Sequence, residues 1–303
     1  MLFVVQPNER NIFDHRMLEY QLLESCVSFF HLAYSSNLYH GRSHGIRVTR
    51  QTFAELGTTA SISASRALLI APISPGLKAA PAEISVVYYR AGYTPLDYAS
   101  PADYATRALL ESSRAVQCPS LALQLAGAKK VQEALTRPGV LERFLPPAAE
   151  GAAAAAAAAA VRDSWVGMWS LDADDGRGAE EAVRRAHELV LKPQREGGGN
   201  NVYRGSIPPF VARLPRHERV AWIAMELIRP PRGVGAYLVR PGVGRVRARA
   251  MSELGVFGWA LFGDGREVRE EQVGWLVRTK ADDVDEGGIA AGFSVLDSVL
   301  LVD

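Results

Sequence analysis

Short apolar runs alternate along the chain with longer polar or amphipathic stretches, and the period of that alternation sets the first expectations. Leu2 to Val5 predicts a strand, Asn11 to Ser25 a helix and Ile46 to Thr52 the next strand. Glu83 to Arg90 (EISVVYYR) is rich in β-branched and aromatic residues, as a buried strand is, and ends in the turn Ala91-Gly92-Tyr93. Helical patterns follow over Ala102 to Val116 and Leu121 to Leu135, stopped by Arg137-Pro138-Gly139. A helix is expected over Ala179 to Glu188. Strands are expected at Leu189 to Lys192, Val220 to Ile228, Arg245 to Leu254 and Val256 to Phe262, with a hairpin turn at Gly263-Asp264-Gly265. Strands alternating with helices argue for an α/β fold.

Two segments break the pattern. Nine consecutive alanines, Ala152 to Ala160, favour helix but offer no packing face, so 146–178 reads as an alanine-rich surface linker. Cys26 to Ser43 (CVSFFHLAYSSNLYHGRS) is aromatic-rich and interrupts a helix-to-strand connection as an atypical insert. Gly41-Arg42-Ser43-His44-Gly45 matches G-x-S-x-G, but a nucleophile elbow needs a strong strand before it and a helix after it. Neither is evident, so no nucleophile is assigned.

Composition narrows the class. The 303 residues are 48% hydrophobic and 22% charged with a net charge of +1, so no global field draws the chain to nucleic acid or anionic lipid. An anionic ligand must be held by local charges. The apolar start at Met1 to Val5 is too short for a signal-peptide core, and no apolar run approaches the roughly 20 residues of a membrane helix. Cys26 and Cys118 cannot form a disulfide framework. The expectation is a soluble cytoplasmic protein that binds neither nucleic acid nor membrane. Lysine supplies only five of the 34 basic residues (Lys78, Lys129, Lys130, Lys192 and Lys280). Against so much arginine, a lysine is a weak hint that a compact point charge is wanted.

The strongest local signal is Leu189 to Tyr203, a short apolar strand that delivers Lys192, Arg195 and Glu196 to the triple glycine Gly197-Gly198-Gly199. Glycines let backbone N–H groups approach phosphate oxygens, a nearby lysine offsets phosphate charge, and a carboxylate can hold Mg²⁺. The same residues also suit an ordinary charged surface turn. The run is neither a Walker A loop nor a G-x-G-x-x-G loop. Two further runs could converge on one ligand. Trp222 to Ile228 could offer backbone to an adenine edge between Met225 and Ile228, or be a plain core strand. Arg278-Thr279-Lys280, followed by Asp285 to Gly292, could close a site against water or be a mobile connection. No zinc pattern appears among the six histidines.

Together these runs resemble eukaryotic glutathione synthetase, motif by motif and in order. They are QPNERNIFD at Gln6 to Asp14, VVYYRAGY at Val86 to Tyr93, QLAGAKKVQ at Gln124 to Gln132 and LKPQREGGGNN at Leu191 to Asn201. MELI at Met225 to Ile228, SELGVFG at Ser252 to Gly258, RTKA at Arg278 to Ala281 and EGGIAAG at Glu286 to Gly292 complete the set. The resemblance implies an ATP-grasp fold with an α/β substrate-binding domain at 1–125 and a nucleotide-binding region at 126–303. It implies an ATP- and Mg²⁺-dependent ligase joining γ-glutamylcysteine to glycine through an acyl phosphate, and a homodimer.

Residue by residue, the resemblance makes Lys129, Lys192 and Lys280 the ATP lysines, with Lys192 and Arg278 central to catalysis. Glu196 would be the Mg²⁺ ligand. Gly197, Gly198, Gly199, Asn200, Asn201 and Tyr203 would form the loop over the nucleotide. Met225, Glu226, Leu227 and Ile228 would line the adenine, with Glu253 toward the ribose and Glu286 also at ATP. Glu9, Arg10, Asn11, His15, Arg90, Ala91, Gly92, Tyr93, Arg278, Ile289 and Ala290 would contact the dipeptide or glutathione.

The departures are specific. Family members begin well before the position of Met1, and that earlier segment holds further Mg²⁺ and substrate ligands, so an amino-terminally truncated form is expected, catalytically weak or inactive by itself. His15 stands where the family has glutamine and Glu286 where it has aspartate. Deleting 26–43 would join Ser25 to His44 and restore the family's helix-to-strand connection, as a retained in-frame intron would require.

Overall fold

The structure is a computed structural model and describes residues 1–9, 11–24, 46–72, 80–145, 152–172, 176–195, 199–230, 234–240, 242, 244–263, 265, 268–289 and 292–299. The 26–43 block with its G-x-S-x-G match lies outside these residues, as do Arg10, Glu196, Gly197, Gly198 and Ala290. The chain divides into two units, Met1–Val131 and Gln132–Asp303.

The first unit contains β1 (Leu2–Val4), α1 (Ile12–Glu24), β2 (Thr49–Gln51), α2 (Phe53–Thr59), β3 (Ala60–Ile62), β4 (Leu68–Ile70), β5 (Ala82–Ile84), β6 (Val86–Tyr89), α3 (Pro101–Ser112), β7 (Val116–Cys118) and α4 (Leu121–Ala126); the division falls within α5 (Lys129–Thr136). A parallel sheet runs in the order β2-β1-β6-β7, and β3-β4-β5 form an antiparallel one. Leu2, Val4, Val87 and Tyr89 of the parallel sheet, Leu68, Ile70 and Ile84 of the other, and Phe53, Leu56 and Leu110 of the helices share one core.

Glu83 to Arg90 is therefore not one strand. It breaks at Ser85, with Ile84 in the antiparallel sheet and Val86 starting the parallel one, while the Ser85 carbonyl accepts from Val116 N–H at 2.9 Å. Similarly, the helix expected to reach Val116 stops at Ser112, where the hydroxyls of Ser112 and Ser113 bond back to the carbonyls of Leu109 and Leu110. The helix expected over Leu121 to Leu135 is two, parted at Gly127. The α2 helix has no counterpart in the periodicity reading, although its start is marked by a capping box in which Thr52 and Glu55 exchange bonds.

The second unit contains α6 (Ala152–Asp163), β8 (Met168–Ser170), α7 (Arg177–Arg184), β9 (Leu189–Pro193), β10 (Val202–Tyr203), α8 (Ile207–Arg213), β11 (Trp222–Glu226), β12 (Val234–Arg240), β13 (Gly244–Leu261), β14 (Arg269–Ala281) and β15 (Val295–Asp297). They form two four-stranded antiparallel sheets, β10-β9-β11-β8 and β12-β13-β14-β15. Leu189, Leu191 and Ala224 of the first sheet pack on Ala179 and Ala182 of α7 and Ile207 and Val211 of α8.

The alanine run is α6, and it does have a packing side: Ala158 is buried, and Arg162 donates to the carbonyl of Thr136 (2.9 Å) and pairs with Glu142 (3.0 Å). The two strands expected from Arg245 to Phe262 are one, because Gly255 keeps its partner Leu276 and the pairing shifts only between Phe257 and Gly258. Gly263 and Gly265 both have positive φ in the connection to β14. Among the described residues no helix is long and apolar enough to cross a membrane.

Candidate functional site

In a strand, successive side chains face opposite ways. While Leu189 and Leu191 of β9 face the helices, Val190 and Lys192 face a cavity of about 610 Å³. Met225, opposite Val190 on β11, lines it too. On the other sheet, Met251 pairs with Lys280 and Glu253 with Arg278, and all four line the same cavity. One end is apolar, with Val166, Val190, Met225, Leu227, Ile228 and Pro230; Lys192, Arg278 and Lys280 also line the cavity, with Asn201 and Tyr203 from one loop and Glu286 from another. A flat apolar group and an anionic chain therefore find complementary surfaces within one space.

The two loops are joined through Glu286. One of its carboxylate oxygens accepts from Asn201 Nδ2 at 3.0 Å and from the Tyr203 hydroxyl at 3.2 Å, and the other from Gly199 N–H at 3.3 Å. Arg204 and Asp285 pair at 2.5 Å, and Lys280 Nζ donates to the Asp285 carbonyl at 2.9 Å. Burial raises the Tyr203 hydroxyl to about 12, and the Glu286 charge adds to that, so it acts as a neutral donor. A backbone N–H of the glycine loop thus already serves an oxyanion.

The Met225 to Ile228 edge is fixed from outside the cavity. Glu226 N–H donates to the Gly167 carbonyl at 3.0 Å, and Gly167 N–H returns a bond to Glu226 Oε2 at 2.9 Å. Arg185 Nη2 donates to Glu226 Oε1 at 2.6 Å, and Leu227 N–H donates to the Glu188 carbonyl at 2.8 Å. Arg185, then the Gly167 N–H, hold the Glu226 carboxyl below the usual carboxylate range. That carboxylate is engaged on both oxygens.

The first unit gathers a second set. His15, on α1, is 1% exposed; Arg90 Nε lies 2.9 Å from its Nε2 and Arg50 Nη2 lies 3.1 Å from its Nδ1. Burial, then the charge of Arg90, lowers its pKa. A neutral imidazole has one acceptor nitrogen, so only one of these arginines hydrogen-bonds to it. Arg90 also ion-pairs with Asp14 and donates to the Tyr88 hydroxyl at 3.2 Å. Asn11 N–H bonds Glu9 at 2.7 Å. The turn at Ala91-Gly92-Tyr93 is held by Asp97, whose Oδ2 accepts from the N–H groups of Gly92, Tyr93 and Thr94 at 3.0 to 3.1 Å. Gly92 has φ +88°, and a Cβ there would stand 2.8 Å from the Tyr98 hydroxyl, so no other residue fits.

Of the nucleotide residues expected from the sequence, Lys192, Asn201, Tyr203, Met225, Glu226, Leu227, Ile228, Glu253, Lys280 and Glu286 share the cavity with Arg278. Gly199 reaches it through Glu286, while Lys129 opens α5 in the first unit. Ile289 accepts from Gly292 N–H at 2.9 Å within its own loop. Arg50, Gly167, Arg185 and Arg204 were not singled out by sequence; of these only Arg185, at helical i,i+4 spacing from Glu181, carried a local signal. Among the described residues no three His, Cys, Asp or Glu side chains converge as a metal site.

Residues 14–301 match the family described as eukaryotic glutathione synthase, ATP binding domain. The chloroplastic glutathione synthetase of Arabidopsis thaliana is 38% identical over 305 residues, covering 100% of this chain and 50% of that protein. Glutathione synthetase of Homo sapiens is 38% identical over 301 residues, covering 98% of this chain and 56% of that protein. The chain thus spans about half the length of the curated relatives it matches. A glutathione synthetase-like effector from Globodera pallida has the same fold, with a TM-score of 0.60 at 20% identity over 100% of this chain and 56% of that one. The sheets and helices above are accordingly those of a mixed α/β, ATP-grasp-like architecture, and the chain belongs to the eukaryotic glutathione synthase family, whose ATP-binding domain it matches.

Proposed function

We propose that the chain binds ATP in the second-unit cavity and contributes to an ATP-dependent ligase that joins γ-glutamylcysteine to glycine. The single observation that carries this reading is the cavity itself, which has an apolar end bounded by Met225 to Ile228 and a lining that includes Lys192, Arg278 and Lys280. In the proposed reaction the γ-phosphoryl group of ATP passes to the acceptor carboxylate of γ-glutamylcysteine, and ADP leaves. The glycine amine attacks the acyl phosphate, an amide bond forms, phosphate leaves and the amine gives up a proton to solvent. Three cations near a transferring phosphoryl group stabilise its charge, and loops that exclude water protect the intermediate. Mg²⁺ would enter with the nucleotide, with Glu196 as this chain's candidate oxygen ligand; no step here depends on it.

Arg90, with Glu9, Asn11, His15 and Tyr93, is the proposed first-unit contact set for the dipeptide. We place the protein in the cytoplasm, as a homodimer. The test is calorimetric ATP binding together with phosphate release and tripeptide formation from ATP, γ-glutamylcysteine and glycine. Absence of ATP binding would overturn the reading. A second reading is favoured by the internal pairing of Arg90 with Asp14: a nucleotide-binding form that does not couple ATP to ligation. ATP binding without tripeptide formation selects it.

A further inference from the structure

Glu226 ends β11, and its last ladder partner is Leu189. Beyond it the backbone through Ile228 is the edge to which a base would hydrogen-bond, and on one side Leu227 N–H holds it to the Glu188 carbonyl at 2.8 Å. On the other side it is held through one carboxylate. Glu226 Oε1 takes Arg185 Nη2 at 2.6 Å, and Oε2 takes Gly167 N–H at 2.9 Å, while Glu226 N–H returns to the Gly167 carbonyl at 3.0 Å. Arg185 is itself fixed by Glu188 at 2.8 Å and Glu181 at 3.3 Å, and its guanidinium lies over the Trp169 ring at 5.3 Å. Charge-assisted bonds to both oxygens leave the carboxylate one orientation.

A side chain at Gly167 would press on the Trp169 ring and on the Glu226 carboxyl. A Cβ there would stand 2.5 Å from the Trp169 ring and 3.0 Å from Glu226 Cδ, distances at which something must shift. Neither Arg185 nor Gly167 is among the residues that line the cavity. Both act on it through Glu226.

We propose that Arg185 and Gly167 are positioning residues for recognition of the nucleotide base: they set the Glu226 to Ile228 backbone at the apolar end of the cavity and leave the polyphosphate end untouched. The inference rests on the nucleotide reading above and adds a division of labour within it. Lys192, Arg278 and Lys280 would meet the phosphates by charge, whatever the base. The Arg185–Glu226–Gly167 set would decide whether an adenine edge finds its partners in register.

The experiment compares the binding of ATP, GTP and inorganic tripolyphosphate to the full chain and to Arg185→Gln, Arg185→Lys and Glu226→Gln. A lost charge-assisted bond corresponds to about tenfold or more in affinity. Arg185→Gln is expected to weaken ATP by about that factor, to leave tripolyphosphate unchanged and to narrow the preference for ATP over GTP. Arg185→Lys should recover part of the loss. Glu226→Gln keeps a carbonyl oxygen for Gly167 N–H and should fall between the two, so the proposal stays testable where Arg185→Gln folds poorly. Equal losses for ATP and tripolyphosphate, or an unchanged ATP to tripolyphosphate ratio in both Arg185→Gln and Glu226→Gln, would overturn the proposal alone. A parent chain that binds no ATP would overturn the nucleotide reading as well.

Discussion

The two units differ in the space around their candidate cations. In the second unit Lys192, Arg278 and Lys280 border about 610 Å³ of space, although Arg278 pairs with Glu253 at 2.8 Å and Lys280 donates to the Asp285 carbonyl at 2.9 Å. In the first, Arg90 is spent on internal partners: Asp14 on one side, His15 and Tyr88 on the others. A polyphosphate entering the cavity meets charge already facing it. A carboxylate approaching Arg90 must compete with one that the chain supplies. The contrast is between cations that border an open cavity and one enclosed by its own partners, and the two should answer differently to loss of a charge.

Lys192→Ala should have the largest effect. Removing a charged partner of a phosphate costs about 1.5–3 kcal/mol, so ATP binding by calorimetry should weaken roughly 10- to 100-fold with the thermal unfolding temperature nearly unchanged. Unaltered affinity would take Lys192 out of the site and end the contrast.

Asp14→Asn should act in the other direction. The pair with Arg90 is partly exposed, so its removal frees the guanidinium at little cost, and γ-glutamylcysteine should bind about two- to fivefold tighter. Weaker binding would mean that Asp14 orients Arg90 rather than competing for it.

His15 gives a pH signature confined to the first unit. Its lowered folded pKa means that its contribution to stability is complete above the unfolded value of about 6.5 and is lost as pH falls through the lowered one. Thermal unfolding between pH 7.5 and 5 should show that loss, and His15→Gln should remove this part of the slope. An identical slope in both proteins would show that other groups set it. The smallest effect belongs to the tip of the β13–β14 ribbon: Trp259→Ser, at a site 44% exposed, should change stability by no more than about 0.5 kcal/mol and leave ATP affinity where it was.

Much of this was legible where a local rule and its tertiary outcome agree. The all-apolar Leu189 to Leu191 followed by Lys192 reads as a strand covered on both faces that ends in a charge, and β9 is that strand. Other features needed distant partners. Ser85 parts two strands only because Val116 pairs with one of them and Leu68 with the other. Glycine at 255 looked like a break, but Leu276 across the ribbon keeps it extended. Gly167 lies 59 residues from the carboxylate it meets and Arg185 lies 41 away, so no window of sequence could couple them. Motif resemblance could mark Glu226 as a candidate nucleotide residue; it could not say that its carboxylate is taken up by Arg185 and Gly167.

The alanine helix is fixed toward one end. Its fixed points, Ala158 and Arg162, lie in its second half, and Arg162 is bonded to Glu142 and to the carbonyls of Thr136 and Arg137. Alanines gained or lost upstream of Ala158 would lengthen or shorten the far end at 1.5 Å per residue without changing the phase of those two side chains. Repeat-length variants upstream of Ala158 should therefore keep the Ala158 and Arg162 contacts in phase.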